Sequence, residues 1–133
     1  MFSAPSFPLL RRDALDADRW NRLHPADSPR VPYVTEVLGA TGGPVVAATD
    51  WMATLPQGVA PWVPATFVAL GTDGFGRRAT RESLRAYFEV DAANVAAAAM
   101  AALARDGAIT GAEAAAAIAA LGIDPDKADP RAS

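Results

Sequence analysis

Two short runs without a polar side chain, Pro44-Val-Val-Ala-Ala48 and Phe67-Val-Ala-Leu70, constrain this chain more than anything else in it. Each is bounded by turn-forming residues, and a run of that length without alternation is the pattern of a strand covered on both faces. Helical patterns lie before, between and after the two runs. Strands alternating with helices point to an α/β layer structure with a small, mostly parallel sheet. Only two or three strands are legible, and a parallel sheet that small has open edges, so a partner or further chain is expected to cover them.

The remainder of the chain fits around those strands. Phe2 to Phe7 has the look of a short edge strand broken by Pro5, after which Asp13 or Asp16 is placed to cap a helix running through Trp20 and Leu23. Tyr33, Val34, Val37 and Leu38 recur at helical spacing, and Gly39, Gly42 and Gly43 close that helix. Trp51 to Val63 predicts a helix interrupted by Pro56 and Gly58. Thr80 is placed to cap a helix that turns Leu84, Tyr87 and Phe88 inward. In the last third, 17 of the 29 residues from Ala92 to Ala120 are alanine, the best helix former. Asp91 starts one helix and Gly107 ends it; Thr110 with Glu113 spells a capping box for a second, closed at Gly122. Residues 1–123 are therefore assigned to one partial domain and 124–133, with Pro125 and Pro130, to a mostly solvated tail.

Composition removes several classes of function. A net charge of −3 offers no broad attraction to nucleic acid or anionic lipid. The absence of cysteine excludes disulfides, thiolate metal sites and a cysteine nucleophile together, and makes a reducing cytoplasm the simplest home. The N-terminus lacks the order of a signal peptide, because Arg11 and Arg12 follow the apolar stretch instead of preceding it. No serine lies in G-x-S-x-G, the single histidine, His24, has no metal-ligand partners, and no carboxylates show a metal-binding spacing.

Two places have the right position for chemistry. The loop Gly71 to Arg78 lies between a strand and a helix, where α/β proteins place ligands, yet its glycines fit neither the dinucleotide nor the P-loop pattern. A tight turn with glycine at positive φ and Phe75 packed inward is the simpler reading. Arg77, Arg78 and Arg81 form a basic face that suits solvent or an acidic partner. Asp50, at a strand end, is the best-placed carboxylate, but capping the next helix explains it without chemistry. His24 reads as a helix-end or packing residue, and Trp20, Trp51 and Trp62 as core or interface residues.

Several stretches, in order, resemble the C-terminal domain of the homodimeric pyruvate dehydrogenase decarboxylating subunit, of the transketolase-like superfamily. They are Arg11-Arg-Asp13, Asp18-Arg-Trp-Asn-Arg-Leu-His-Pro25, Pro29-Arg-Val-Pro-Tyr33, Pro44-Val-Val-Ala-Ala-Thr-Asp50, Leu70-Gly-Thr-Asp-Gly-Phe-Gly-Arg77, Thr80-Arg81, Leu84-Arg85, Phe88-Glu-Val-Asp91 and Asp129-Pro-Arg131. The departures are Arg78, where that family usually has serine, and the break at Pro56 and Gly58 in what is normally an unbroken helix.

The resemblance implies a transketolase C-terminal-like three-layer fold lacking its opening strand and helix. It implies an enzyme that decarboxylates pyruvate on thiamine diphosphate held with magnesium and then acetylates a lipoyl group, with both cofactors in preceding domains. The Gly-Asp-Gly motif with a following Asn-Asn pair is absent here, so no catalytic, cofactor or metal residue carries over, and the chain alone is expected to be inactive. Its implied partners are the remaining domains of the subunit, the second subunit of a homodimer and the lipoyl acyltransferase, in the cytoplasm. The loop Thr72, Asp73, Gly74, Phe75, Gly76 and Arg77 is the expected contact surface. A free-standing, non-catalytic interaction module is the alternative.

Overall fold

The computed structural model describes residues 1–132, and both apolar runs form strands in it. In chain order the elements are α1 (Phe7–Leu23), α2 (Tyr33–Gly39), β1 (Val45–Ala48), α3 (Thr54–Gln57), a 3-10 turn (Ala60–Trp62), β2 (Phe67–Leu70), α4 (Arg81–Tyr87), α5 (Ala92–Arg105) and α6 (Gly111–Ala120). β1 and β2 pair in parallel, Val45 opposite Phe67 and Ala48 opposite Leu70. The ladder overruns the strands at both ends: the Val45 amide donates to the Thr66 carbonyl at 2.8 Å and the Thr49 amide to the Leu70 carbonyl at 3.0 Å.

The strands are less covered than their apolar sequence predicts. β2 is half-buried throughout, and β1 is half-buried except at exposed Ala48. Among the described residues each strand has a neighbour on one side only, which leaves the outer backbone groups of both without a ladder partner strand.

The N-terminal strand is not formed. The Ser6 hydroxyl accepts the Leu9 amide at 3.3 Å and caps α1, and Pro8 sits in the first turn, where its missing N–H removes no helical bond. The helix therefore starts at Phe7, ahead of Asp13 and Asp16, and neither aspartate caps it. Asp13 instead accepts the Tyr33 amide at 2.8 Å, which ties α1 to the start of α2. The expected interruption after Trp51 is present: α3 is one turn containing buried Pro56, and the chain resumes as the 3-10 turn.

The expected caps in the second half are found. Thr80 accepts the Ser83 amide at 3.3 Å, Asp91 accepts the Asn94 amide at 2.9 Å, and Thr110 and Glu113 exchange both bonds of a capping box. α5 packs on both strands, and α6 packs back along α5.

The core is shallow. Val34, Val59 and Val63 form its centre, with Phe7, Leu10, Leu38, Val45, Trp62 and Phe67 half-buried around them. Among the described residues every fully buried apolar side chain other than proline is alanine or valine. The chain exposes 8794 Å², against about 6,600 Å² for a compact monomer of this mass.

Because α6 contacts little besides α5, its cap carries weight. Thr110→Ala is expected to cost about 1 kcal/mol in urea unfolding, whereas Thr110→Ser, which keeps the hydroxyl, should stay close to the parent.

Candidate functional site

The carboxyl end of β1 is where the titratable side chains converge. Asp50 follows the strand by two residues, and Arg85, on α4, reaches it in a two-point contact: Nε donates to Oδ1 at 2.9 Å and Nη2 to Oδ2 at 2.7 Å. Arg81, one turn earlier on α4, lies 3.9 Å from the same carboxylate. The hydrogen bond from Arg85 holds the Asp50 carboxyl below its ordinary value of 3.8, against a smaller opposing effect of burial, and Arg81 adds to the lowering.

Asp50 is thus not the helix cap that its position suggested. Ala53 is the residue at the N-terminus of α3, and no side chain caps that helix. The planar guanidinium of Arg85 matches a carboxylate at two points, which a single α3 amide does not. Sequence reasoning passed over Arg85. The available signal was the spacing of Arg81 and Arg85, four apart on one helix, which brings both onto a common face.

The glycine-rich loop continues this site along β2. The Thr72 amide donates to the Trp51 carbonyl at 2.8 Å and its hydroxyl to the Asp50 carbonyl at 2.9 Å, while Asp73 accepts the Ala53 amide at 3.1 Å. Approach this close requires Gly71: a Cβ there would collide with the Ala53 amide nitrogen and lie 2.6 Å from the Trp51 carbonyl oxygen. Gly74 has the positive φ expected of this turn, 137°, and sits under the Pro130 carbonyl.

Phe75, however, is not packed inward. It is 76% exposed, because Thr72 and Asp73 are the loop residues tied to the β1–α3 link and the turn at Gly74 carries the chain outward after them. Arg77 lies over the Tyr87 ring, 4.2 Å from its centroid. Gly76 and Arg78 are exposed.

The C-terminal segment 124–132 is mostly exposed, but it is fastened. Lys127, the sole lysine, donates to the Ala86 and Tyr87 carbonyls at 3.0 and 2.8 Å, the end of α4 where helix carbonyls lack partners, and lies 3.4 Å from Glu89. Pro130 is buried. A lone lysine in an otherwise arginine-only chain was the sequence clue to this anchor.

The remaining candidates stand apart from this site. His24 ends α1, with Nδ1 2.9 Å from the Trp20 carbonyl and its ring stacked on Trp20 at 4.5 Å. Arg30 covers the Trp20 ring at 4.3 Å, and the Trp62 indole donates to Asp18 at 2.8 Å. Trp51 alone of the three is largely exposed, at 71%. It lines an open groove of about 620 Å³ with Ala4 to Pro8, Leu55, Asp50, Arg85 and Val90.

The donors present do not fit a magnesium–diphosphate group. Asp50 is engaged by Arg85, Asp73 by the Ala53 amide, and Asp129, held at about 2 by its hydrogen bonds from Arg131, by that arginine. Among the described residues no three histidine, aspartate or glutamate side chains cluster to hold a metal ion. Nor is any helix among them long and apolar enough to cross a membrane. What the arrangement does is mechanical: it locks the end of β1, the glycine-rich loop and α4 into one unit.

The folded-state pKa of Asp50 lies below its unfolded value, so its stabilising effect is present above the unfolded pKa and lost as pH falls through the folded one. Asp50→Asn is therefore expected to be less stable than the parent at pH 7 and to converge with it in acid, below pH 3.8. Urea titrations across pH check this, and added salt should shrink the difference.

Residues 1–91 match the family described as the transketolase-like TK C-terminal domain. The pyruvate dehydrogenase E1 component of Pseudomonas aeruginosa is 50% identical over 131 residues, covering 98% of this chain and 15% of that protein. That of Escherichia coli K12 is 48% identical over 132 residues, with the same coverage, and that of Mycobacterium tuberculosis 43% identical over 109 residues, covering 82% of this chain and 12% of that protein. The chain thus spans about 15% of the length of the first of these relatives. A match over residues 1–91, together with parallel strands ending at Ala48 and Leu70, makes this chain a member of the transketolase-like TK C-terminal domain family.

Proposed function

We propose that this chain is the C-terminal assembly portion of a pyruvate dehydrogenase, the thiamine-diphosphate-dependent enzyme that decarboxylates pyruvate and acetylates a lipoyl group. The observation that carries this reading is the 50% identity to one such component over 98% of the chain. In the complete enzyme thiamine diphosphate and magnesium supply the electron sink for decarboxylation, and the residues described above do not hold them. This chain's role is support. Its partners are the remaining domains of the subunit, a second subunit of a homodimer and the lipoyl acyltransferase of the complex, working in the cytoplasm at the exit of glycolysis.

The physical support is the shallow core and the large exposed area, since a domain in which, among the described residues, no buried side chain is larger than valine gains stability by packing against others. Residues 1–123 form the domain that docks, and 124–133 the tail that ties it. The loop from Thr72 to Arg77, braced by Asp73 and by the tail at Gly74, is a contact surface within the assembly.

The purified chain with thiamine diphosphate, magnesium and pyruvate is expected to show no decarboxylation. A full-length chimera, in which this chain replaces the matching 131 residues of the Pseudomonas relative, is expected to turn over pyruvate at a rate within about tenfold of that relative. A folded but inactive chimera, or turnover by the isolated chain, contradicts the proposal.

A further inference from the structure

The segment after α6 is shaped by its own bonds before it is attached to anything else. Asp124 accepts the Asp126 amide on its carboxylate at 3.0 Å and the Lys127 amide on its carbonyl at 3.3 Å. Asp129 does the same for the Arg131 amide at 2.9 Å and the Ala132 amide at 3.0 Å. Two aspartate turns in series make residues 124–132 a pre-formed strap. It lies across the carboxyl end of β2, where Ile123, Pro125 and Pro130 wall one side of a crevice of about 470 Å³ and Leu70, Gly71 and Asp73 the other.

The end of α4 holds this strap through a cradle for one ammonium. Lys127 Nζ lies 3.0 Å from the Ala86 carbonyl, 2.8 Å from the Tyr87 carbonyl and 3.4 Å from Glu89 Oε1, with the Tyr87 ring centroid at 5.5 Å. The cradle depends on the backbone of Glu89. Among the described residues it is the one non-glycine residue at positive φ, 61°, a conformation that glycine adopts without strain and that commonly ends a helix. The Val90 amide closes that turn on the Arg85 carbonyl at 2.9 Å. Glycine would end α4 with less strain and no carboxylate; the residue present supplies the third acceptor for the ammonium.

The strap reaches the glycine-rich loop at two points. Buried Pro130 rests its carbonyl on Gly74, where a Cβ would lie 2.5 Å from that oxygen and 3.2 Å from the Phe88 ring. Tyr87 is shared: Arg77, from the loop, lies 4.2 Å from its ring centroid, and Lys127, from the strap, 5.5 Å. Lifting the strap therefore uncovers Gly74, whose φ of 137° turns the chain outward, and takes one of two cations off the ring that carries Arg77. Apart from Pro130, the attachments are partly exposed polar contacts, the class that opens at the least cost.

We propose that residues 124–132 are a releasable strap, latched by Lys127 in the cradle at the end of α4, and that its closed position fixes the loop from Thr72 to Arg77. Such coupling is reciprocal: a shape of the loop that favours the closed strap is favoured by it in turn. The use of the loop as a contact surface rests on the proposed function. The latch and its two links to the loop rest on the geometry alone.

Amide hydrogen exchange on this chain, resolved by residue, tests the coupling. Lys127→Met keeps an apolar stem and removes the ammonium; it is expected to speed exchange of the Thr72 amide at least about tenfold, the effect of losing hydrogen bonds from a charged donor. The Val45 amide, bonded to Thr66 in the sheet, should exchange at the parent rate. The reverse direction is read at Lys127, whose amine, the sole lysine amine, reacts with an N-hydroxysuccinimide ester when the strap is open. Gly74→Ala, which sets a Cβ against the Pro130 carbonyl, is expected to raise that acylation at least about fivefold, measured by peptide mass. Thr72 exchange indifferent to Lys127→Met, equal acceleration at Thr72 and Val45, or acylation indifferent to Gly74→Ala each overturns the inference. In an active chimera, Lys127→Met is expected to speed thermal inactivation at least about threefold, and an unchanged rate overturns the strap's control of an assembly contact. An inactive parent chimera sinks the proposed function alone, since the strap is decided on the isolated chain.

Discussion

Four residues of parallel pairing, Val45 to Ala48 against Phe67 to Leu70, determine where everything else in this molecule sits. The register sets Val45 and Phe67 side by side against the valine cluster under α1 and α2. It also ends both strands together, so that Asp50 and the Gly71 loop leave the sheet at one edge. Gly71 is the tightest point of that arrangement. The links after β1 and β2 pass so closely there that any side chain would strike the Ala53 backbone. Thr72 and Asp73 then convert the close passage into hydrogen bonds.

Around that edge, charge replaces apolar burial as the means of attachment. Arg85 joins α4 to the end of β1 through Asp50, and Lys127 joins the C-terminal segment to the end of α4. Each of these contacts is partly exposed, so each stabilises modestly and is weakened by salt. What they supply is geometry: α4, the loop and the tail are held in one relative placement although no large apolar side chain is buried among them. In the proposed role, a surface of fixed shape matters more than a deep core of its own. Packing against further domains would add the apolar burial that the valine-and-alanine interior lacks.

Some expectations failed because a local rule lost to a neighbouring one. Phe2 to Phe7 has aromatic residues at both ends, but Ser6 and Pro8 together make a helix start, and a capped turn forms without any partner strand. Asp50 has the position of a cap and is taken by an arginine 35 residues away. Phe75 was expected inside as part of a tight turn; the loop residues with inward hydrogen bonds are Thr72 and Asp73, and Gly74 turns the chain outward before Phe75 is reached.

By itself the sequence determined what depends on short-range chemistry and on pattern. Both strands, the break after Trp51, the caps at Thr80, Asp91 and Thr110 and the place of His24 at a helix end were legible, because each is governed by residues within a few positions of one another. The family was legible too, from ordered motifs between Arg11 and Asp91, the region that the family match covers. Tertiary structure alone decided the partners of Asp50, Asp73 and Lys127, the outward face of Phe75 and Trp51, and the shallowness of the core. Those depend on which distant backbone arrives at a side chain, and no local propensity encodes that arrival.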